Sequence, residues 1–509
     1  MLHDNCKDRK KIQYMFILGK FDSPSYNSFF PDNGIALLAA QIKKAGNEVV
    51  YYDMNIQERE SDMWITFSNG APDIVGFKLF YNNIRHSILI ADEIHKKYPQ
   101  SLIIAGGPHI TFIGGHLFKC TQSFELLIMG EGDNAINEVG EYVLGMRSID
   151  SISNCVYQKN GRVIYNKQHI INDISNLPFP DWETIGIRNY FPILQLNMAR
   201  GCPNQCSFCV HNSILSRIND EKLFRNKSLS EIHKSNHYRK REFSSAKNEL
   251  EHNRNVYKTK YFVVSDSTPS KESIMDLCNY LINNNINSKW AAFAHVAQID
   301  ELLIRKMAEA NCVALFLGIE SGNGRLLKII GKRYDKSQIK TAIKMVKSYG
   351  IDIVASFIMG HPGEDEFSIN ETKQLICDLQ LRTVFMSPFT LEPGSPIALN
   401  PKNYDICLHA DWFEKIAILP VNVECHEVYY YDINNKPNPE YWNEINNLYA
   451  LENLGLKFDT FDNEYIKLLA CILGRQSTDL YHDMQKLIET NNINEINKLI
   501  YKSWELVAK

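Results

Sequence analysis

No apolar run approaches the roughly 18 residues that a membrane span needs, and neither internal repeats nor a low-complexity tract is present. Met1 to Lys11 is polar and charged, and the apolar run behind it, 12–19, lacks a small-residue cleavage site. This stretch therefore reads as a first strand and not as a secretion signal. Cysteine is sparse: 12 in 509 residues are far too few for a disulfide scaffold. Three of them crowd into eight positions, which, with no signal in sight, points to a reducing cytoplasm and a metal site. A dominant charge is missing too. The 55 Lys or Arg nearly balance the 59 Asp or Glu, which argues against a polyanionic partner along the whole chain. With 44% hydrophobic and 22% charged residues, disorder and fibrous repeats are also excluded.

What remains is an α/β pattern long enough for about three domains. In residues 1–150, strand-like runs at 14–18, 48–52, 74–77, 102–105 and 124–129 alternate with helical spacing at 34–45 and 84–97. Several runs end in glycine turns, Gly106-Gly107-Pro108 and Gly130-Glu131-Gly132 among them. Such alternation predicts a doubly wound parallel sheet, whose ligands sit beyond the strands' carboxyl ends. Residues 151–192 read as a connector, with a hairpin turning at Asn160-Gly161 and a proline-rich boundary at 177–181. A second series of six strand–helix units follows in 193–397, with strands at 193–197, 261–265, 290–294, 314–318, 353–357 and 383–387. That series predicts a parallel barrel or part of one. Residues 398–509 turn to a mixed helical pattern without a motif.

The strongest chemical signal is Arg200-Gly201-Cys202-Pro203-Asn204-Gln205-Cys206-Ser207-Phe208-Cys209, directly after a strand. Three thiolates on one turn suit zinc or iron–sulfur. A structural zinc wants a fourth ligand, and the nearest further donors are Cys155, Cys278 and His211. A 4Fe–4S cluster held by three cysteines instead leaves one iron open, as a catalyst requires.

This C-x₃-C-x₂-C motif, with an aromatic before its last cysteine, resembles the radical S-adenosylmethionine (SAM) superfamily. Four further matches follow in order: Val264-Ser265-Asp266, Gly318-Ile319-Glu320-Ser321-Gly322, Ile358-Met359-Gly360-His361-Pro362-Gly363-Glu364 and Pro393-Gly394-Ser395-Pro396. Ahead of them, Pro31-x-x-Gly34, Asp53, Gly106-Gly107-Pro108-His109 and Gly130-Glu131-Gly132 resemble a cobalamin-binding-type domain. Residues 1–397 thus resemble the cobalamin-domain radical SAM family. One departure is the absence of Asp-x-His-x-x-Gly, so no histidine of that motif is available to ligate cobalt from below.

The resemblance implies three cofactors. Cys202, Cys206 and Cys209 would hold a 4Fe–4S cluster. Phe208, Asp266, Glu320, Ser321, Ser356 and Gly360 would contact SAM, with Asp266 toward its methionyl amine and Phe208 flanking adenine. Gly34, Gly106, Gly107, Pro108, His109, Gly130 and Gly132 would line cobalamin. It further implies a 5′-deoxyadenosyl radical, an electron donor such as flavodoxin or ferredoxin, and methylation of an unactivated sp³ carbon of a peptide or natural product. His295, just past the third barrel strand, is either substrate-facing or core. A non-methylating alternative such as an epimerase would need a thiol hydrogen donor, for which Cys407 and Cys425 are the candidates. Residues 217–260 carry 12 Lys or Arg against 6 Asp or Glu. They read as a solvated insertion or as a lid for an anionic substrate. A tRNA substrate is the remaining reading of that charge, and no basic RNA-binding domain follows Pro396 to support it.

Overall fold

A computed structural model describes residues 11–22, 26–56, 59–211, 238–381, 383–417, 431–449 and 463–508. Residues 217–237 of the basic 217–260 segment, and Cys425, lie outside the described residues.

The first sheet has seven strands in the order β2-β1-β3-β4-β5-β6-β7. β1 (Gln13–Leu18), β2 (Glu48–Asp53), β3 (Ile74–Lys78), β4 (Leu102–Gly106) and β5 (Leu126–Ile128) run parallel. Near-continuous apolar runs such as Met15–Leu18 are buried on both faces, as a helix-covered parallel sheet demands. The chain leaves β1 toward β2 on one side and returns to β3 on the other. The crevice where that order switches is where doubly wound sheets take ligands. Helix Asn33–Lys44 starts there, and Asp32 caps it by accepting from the Ile35 N–H at 2.8 Å.

The expected hairpin forms, with β6 (Cys155–Lys159) and β7 (Arg162–Tyr165) joined through Asn160 and Gly161 at positive φ. It does not stand in a free connector. β6 pairs antiparallel with β5 and completes the first sheet, because the buried edge of β5 needs hydrogen-bond partners.

The second sheet is parallel, in the order β15-β14-β13-β12-β11-β8, which is simple chain order in reverse. Its strands are β8 (Ile193–Leu196), β11 (Tyr261–Val264), β12 (Lys289–Ala294), β13 (Cys312–Glu320), β14 (Asp352–Met359) and β15 (Thr383–Pro388). β15 and β8 do not pair, so the barrel is partial. Between β8 and β11, β9 (Ala199–Arg200) pairs antiparallel with β10 (Arg239–Lys240). Strand alternation sends Phe262, Trp290 and Leu315 toward the outer helices, and Val263, Ala291 and Ala314 inward.

The inward residues are covered by helix Glu464–Leu473, which packs across β8, β11, β12 and β13. Eight of its ten residues are buried, the pattern of a helix enclosed on all sides. Burying Ile466, Leu468, Leu469 and Ile472 contributes about 6–12 kcal/mol. Trp504 fastens the last helix, Ile493–Ala508, by donating from Nε1 to the Tyr190 carbonyl at 2.8 Å. The C-terminal part also holds a small antiparallel sheet of β16 (Ile406–Leu408), β17 (Tyr431–Ile433) and β18 (Lys436–Pro437).

Candidate functional site

The carboxyl ends of both sheets open into one cavity of about 400 Å³. From the first sheet come Gly34, Gly106, Gly107, Gly130 and Gly132 over an apolar floor that includes Phe16, Leu38, Ile104 and Ile128. From the barrel come Asn197, Arg200, Gly201, His211 and Ser265–Ser267. A Cβ on Gly34 would lie 3.2 Å from Lys78 Nζ. Gly107 has φ +104° and ψ −179°, a conformation essentially reserved for glycine. Glycines at the strand ends over an apolar floor leave room for the flat face of a macrocycle, with Lys78, Glu131 and Asp133 as the charged lining residues of the first domain. The first sheet contributes no histidine to it, in keeping with the missing lower-ligand motif. Pro108 and His109 lie elsewhere, against a second, smaller cavity.

The cysteine loop begins at Gly201, with φ +84°. Ser207 N–H donates to the Ile330 carbonyl at 2.8 Å, and Ile397 N–H donates to the Ser207 carbonyl at 2.9 Å, so the loop is held from both sides. Asn204 Nδ2 reaches Cys202 Sγ at 3.6 Å, and the His211 N–H reaches Cys209 Sγ at 3.5 Å. Burial pushes the Cys206 thiol up and the Cys209 thiol to about 12, and Cys209 is raised further by the other two cysteines. Among the described residues no three His, Cys, Asp or Glu side chains gather closely enough for one metal ion. Three thiolates carried on one loop suit an iron–sulfur cluster that leaves one iron open. His211 engages Ser267 through Nε2.

Asp266 accepts from the Met198 N–H at 2.9 and 3.1 Å, which ties the end of β8 to β11. Burial raises its carboxyl to about 7. Glu320 sits at φ +69°, a strained conformation for a non-glycine residue. Its carboxylate lies 3.1 Å from Lys332 Nζ, and both side chains are almost fully buried. Lys332 also donates to the Gly318 carbonyl at 2.9 Å and acts on the Cys206 thiol by charge and hydrogen bonding. Glu320 is thereby linked to the cysteine loop through a lysine that no motif marks. Ser321 is buried and accepts from the Asn323 N–H at 3.1 Å, and Ser356 is buried on β14. Gly360, at φ +74°, donates to Glu364 Oε2 at 2.6 Å, and Trp442 covers the side from which a side chain would project. Phe208 is half-buried. His295 caps a short helix by accepting from the Ala297 N–H at 3.3 Å and packs its ring on Tyr334. Cys407 is exposed on β16 and lines neither cavity.

Sequence reasoning missed the ion network joining the two halves. Arg200 grips Asp133 through two bonds of 2.8 and 2.9 Å and reaches Glu131 at 3.1 Å. Arg239 meets the same Glu131 at 2.6 and 3.0 Å. The only local signal is position: Arg200 precedes Gly201-Cys202, and Asp133 follows the third glycine-turn residue.

Two family models match the chain, the B12 binding domain over residues 24–140 and the radical SAM superfamily over residues 196–376. The fold and the three-thiol loop therefore define a radical SAM enzyme. More narrowly, the chain belongs to the radical SAM family whose barrel follows a cobalamin-binding domain. Among similar proteins is an uncharacterized methyltransferase, PH0819, of Pyrococcus horikoshii, 23% identical over 77% of this chain and 83% of that protein. The anaerobic magnesium-protoporphyrin IX monomethyl ester cyclase of Cereibacter sphaeroides is 24% identical over 74% of this chain but only 62% of its own length. The radical SAM methyltransferase TsrM of Kitasatospora setae, solved with cobalamin and a [4Fe–4S] cluster, superimposes with a TM-score of 0.69 at 12% identity, covering 96% of this chain and 100% of that one.

Proposed function

We propose that this chain is a cobalamin-dependent radical SAM methyltransferase acting on an unactivated carbon of a small molecule or peptide. One observation carries the reading: a single cavity is lined both by the strand-end glycines of the B12 domain and by the turn leading into the cysteine loop. When bound, the cluster with SAM and the cobalamin supply hydrogen-atom abstraction and a transferable methyl group, neither of which side chains provide.

The chain's own residues have defined tasks in this reading. Cys202, Cys206 and Cys209 would hold the cluster and leave one iron to the methionyl amine and carboxylate of SAM. Lys332, beside Cys206, would offset part of the cluster's negative charge. Asp266 keeps β8 and β11 in register beside that site, and the apolar floor of the cavity excludes water from a reactive radical. The reducing electron would come from a flavodoxin- or ferredoxin-like donor. Similarity to the named methyltransferases supports the transfer, and the B12 domain match supports its carrier.

Anaerobically reconstituted protein, given SAM, cobalamin and a reductant, should form 5′-deoxyadenosine and S-adenosylhomocysteine in comparable amounts. Replacing Cys202, Cys206 and Cys209 together with Ala should remove the cluster absorbance and 5′-deoxyadenosine formation. Production of 5′-deoxyadenosine alone, with deuterium entering the product from heavy water, would overturn methyl transfer while leaving the cluster assignment in place.

A further inference from the structure

Beyond Gly107 a second cavity, of about 280 Å³, lies between the first sheet and the barrel. Phe80 and Phe112 form its wall on the first domain; Val210, Leu391 and Ile416 form the opposite one. Val210 directly follows the cluster cysteine Cys209, and Leu391 belongs to the segment leaving β15. The space thus touches both halves of the molecule, next to the cysteine loop.

Into this mostly apolar space faces one acid, Glu392, with Tyr81, His109 and Thr390 as the other polar lining residues. Among the described residues no donor hydrogen-bonds its carboxylate and no cation pairs with it. Burial is the only influence on its ionisation, which it raises to about 7. Glu392 is half-buried at the cavity wall, whereas the buried acids near the site are satisfied, Asp266 by backbone N–H groups, Glu320 by Lys332, and Glu131 and Asp133 by arginines. An unpartnered carboxylate in apolar surroundings is costly unless something supplies the missing positive charge and hydrogen bonds. A cavity of small-molecule size beside it indicates that the partner is a ligand.

We propose that this cavity takes the substrate, and that the substrate presents a protonated amine to Glu392 while the apolar walls hold an aliphatic or aromatic body. This rests on the methyltransferase reading for calling the ligand the substrate. The ammonium recognition itself rests on Glu392 and its surroundings. SAM also carries an ammonium, so the test includes it.

The test uses holoprotein loaded with cluster and cobalamin, at pH 8, with phenethylamine, 2-phenylethanol and 3-phenylpropionate as size-matched probes in anaerobic equilibrium dialysis. Phenethylamine should bind about tenfold or more tightly than the alcohol, and the carboxylate weakest, as charge complementarity requires. In Glu392→Gln the preference for the amine should disappear with alcohol binding unchanged, and Glu392→Asp should keep the order at reduced affinity. Equal binding of all three probes, an unaltered preference in Glu392→Gln, or no amine binding at millimolar concentration overturns the proposal. So does displacement of the amine by saturating SAM, which would give the pocket to SAM. Binding is read without turnover. Intact amine selectivity without methyl transfer therefore defeats only the function proposed above, and lost selectivity with intact SAM cleavage defeats only this one.

Discussion

Replacing Arg200 with Met tests how the two halves are joined at the cysteine loop. Arg200 makes three charge-assisted bonds, two to Asp133 and one to Glu131. The acid side chains are only 7% and 9% exposed, so water cannot take over. Glu131 keeps Arg239, but Asp133 is left without a cation. Breaking a buried pair on one side costs about 3–5 kcal/mol. At about 1 °C per kcal/mol for a chain of this length, that lowers the melting temperature of the anaerobic protein by about 3–5 °C. The penalty comes from a stranded charge, so the double variant Arg200→Met/Asp133→Asn should regain more than half of the loss. Circular-dichroism melts of the four proteins in the cycle measure this directly. The reasoning fails if Arg200→Met melts within about 1 °C of wild type, or if the double variant melts as low as the single one.

Two further outcomes follow from local geometry. Gly107→Ala should cost about 3 kcal/mol or more, because φ +104° strains any side-chain residue and its Cβ would lie 2.9 Å from the Leu79 carbonyl oxygen. Urea denaturation checks this, and an unchanged midpoint counts against it. The pH dependence has a defined sign. Burial holds Glu364 and Asp266 protonated up to about 7, whereas in the unfolded chain such groups titrate near about 4. The stability they contribute is therefore complete below about 4 and lost as pH rises through about 7. His295 and His361, kept neutral down to about 4 by burial, act in the opposite direction, but only below about 6.5. The melting temperature should thus decline between about pH 6.5 and 8, and Glu364→Gln should flatten that slope. A wild-type melting temperature that rises over the interval contradicts the assignment.

Much of this architecture was legible in the sequence because its signals are local. Each barrel strand is a short apolar run bounded by turn residues, and the structure places a strand on all six. The cysteine loop is a single contiguous motif. What stayed hidden depends on pairing across distance. Asn160-Gly161 announces a hairpin, but nothing near it says that β6 will seal the edge of β5. Arg200 and Asp133 stand 67 residues apart, and Lys332 lies 126 positions after Cys206. One sequence alone does not reveal such partners, since a charged residue beside a motif looks the same whether solvated or buried. Helix Glu464–Leu473 did carry a signal, its all-round hydrophobicity, which marks burial but not the surface that buries it. Glu392 had none, because a lone acid after a strand is ordinary until the walls around it are seen.

The helix beneath the barrel also has a consequence for the order in which this protein becomes itself. During synthesis, all six barrel strands and the cysteine loop leave the ribosome before residue 464 does. Until that helix arrives, Val263, Ala291 and Ala314 face water, and the sheet bearing the cluster ligands lacks part of its interior. A nascent chain can thus build its B12 domain early, while the half bearing the cysteine loop lacks part of its core until residues 464–473 have emerged.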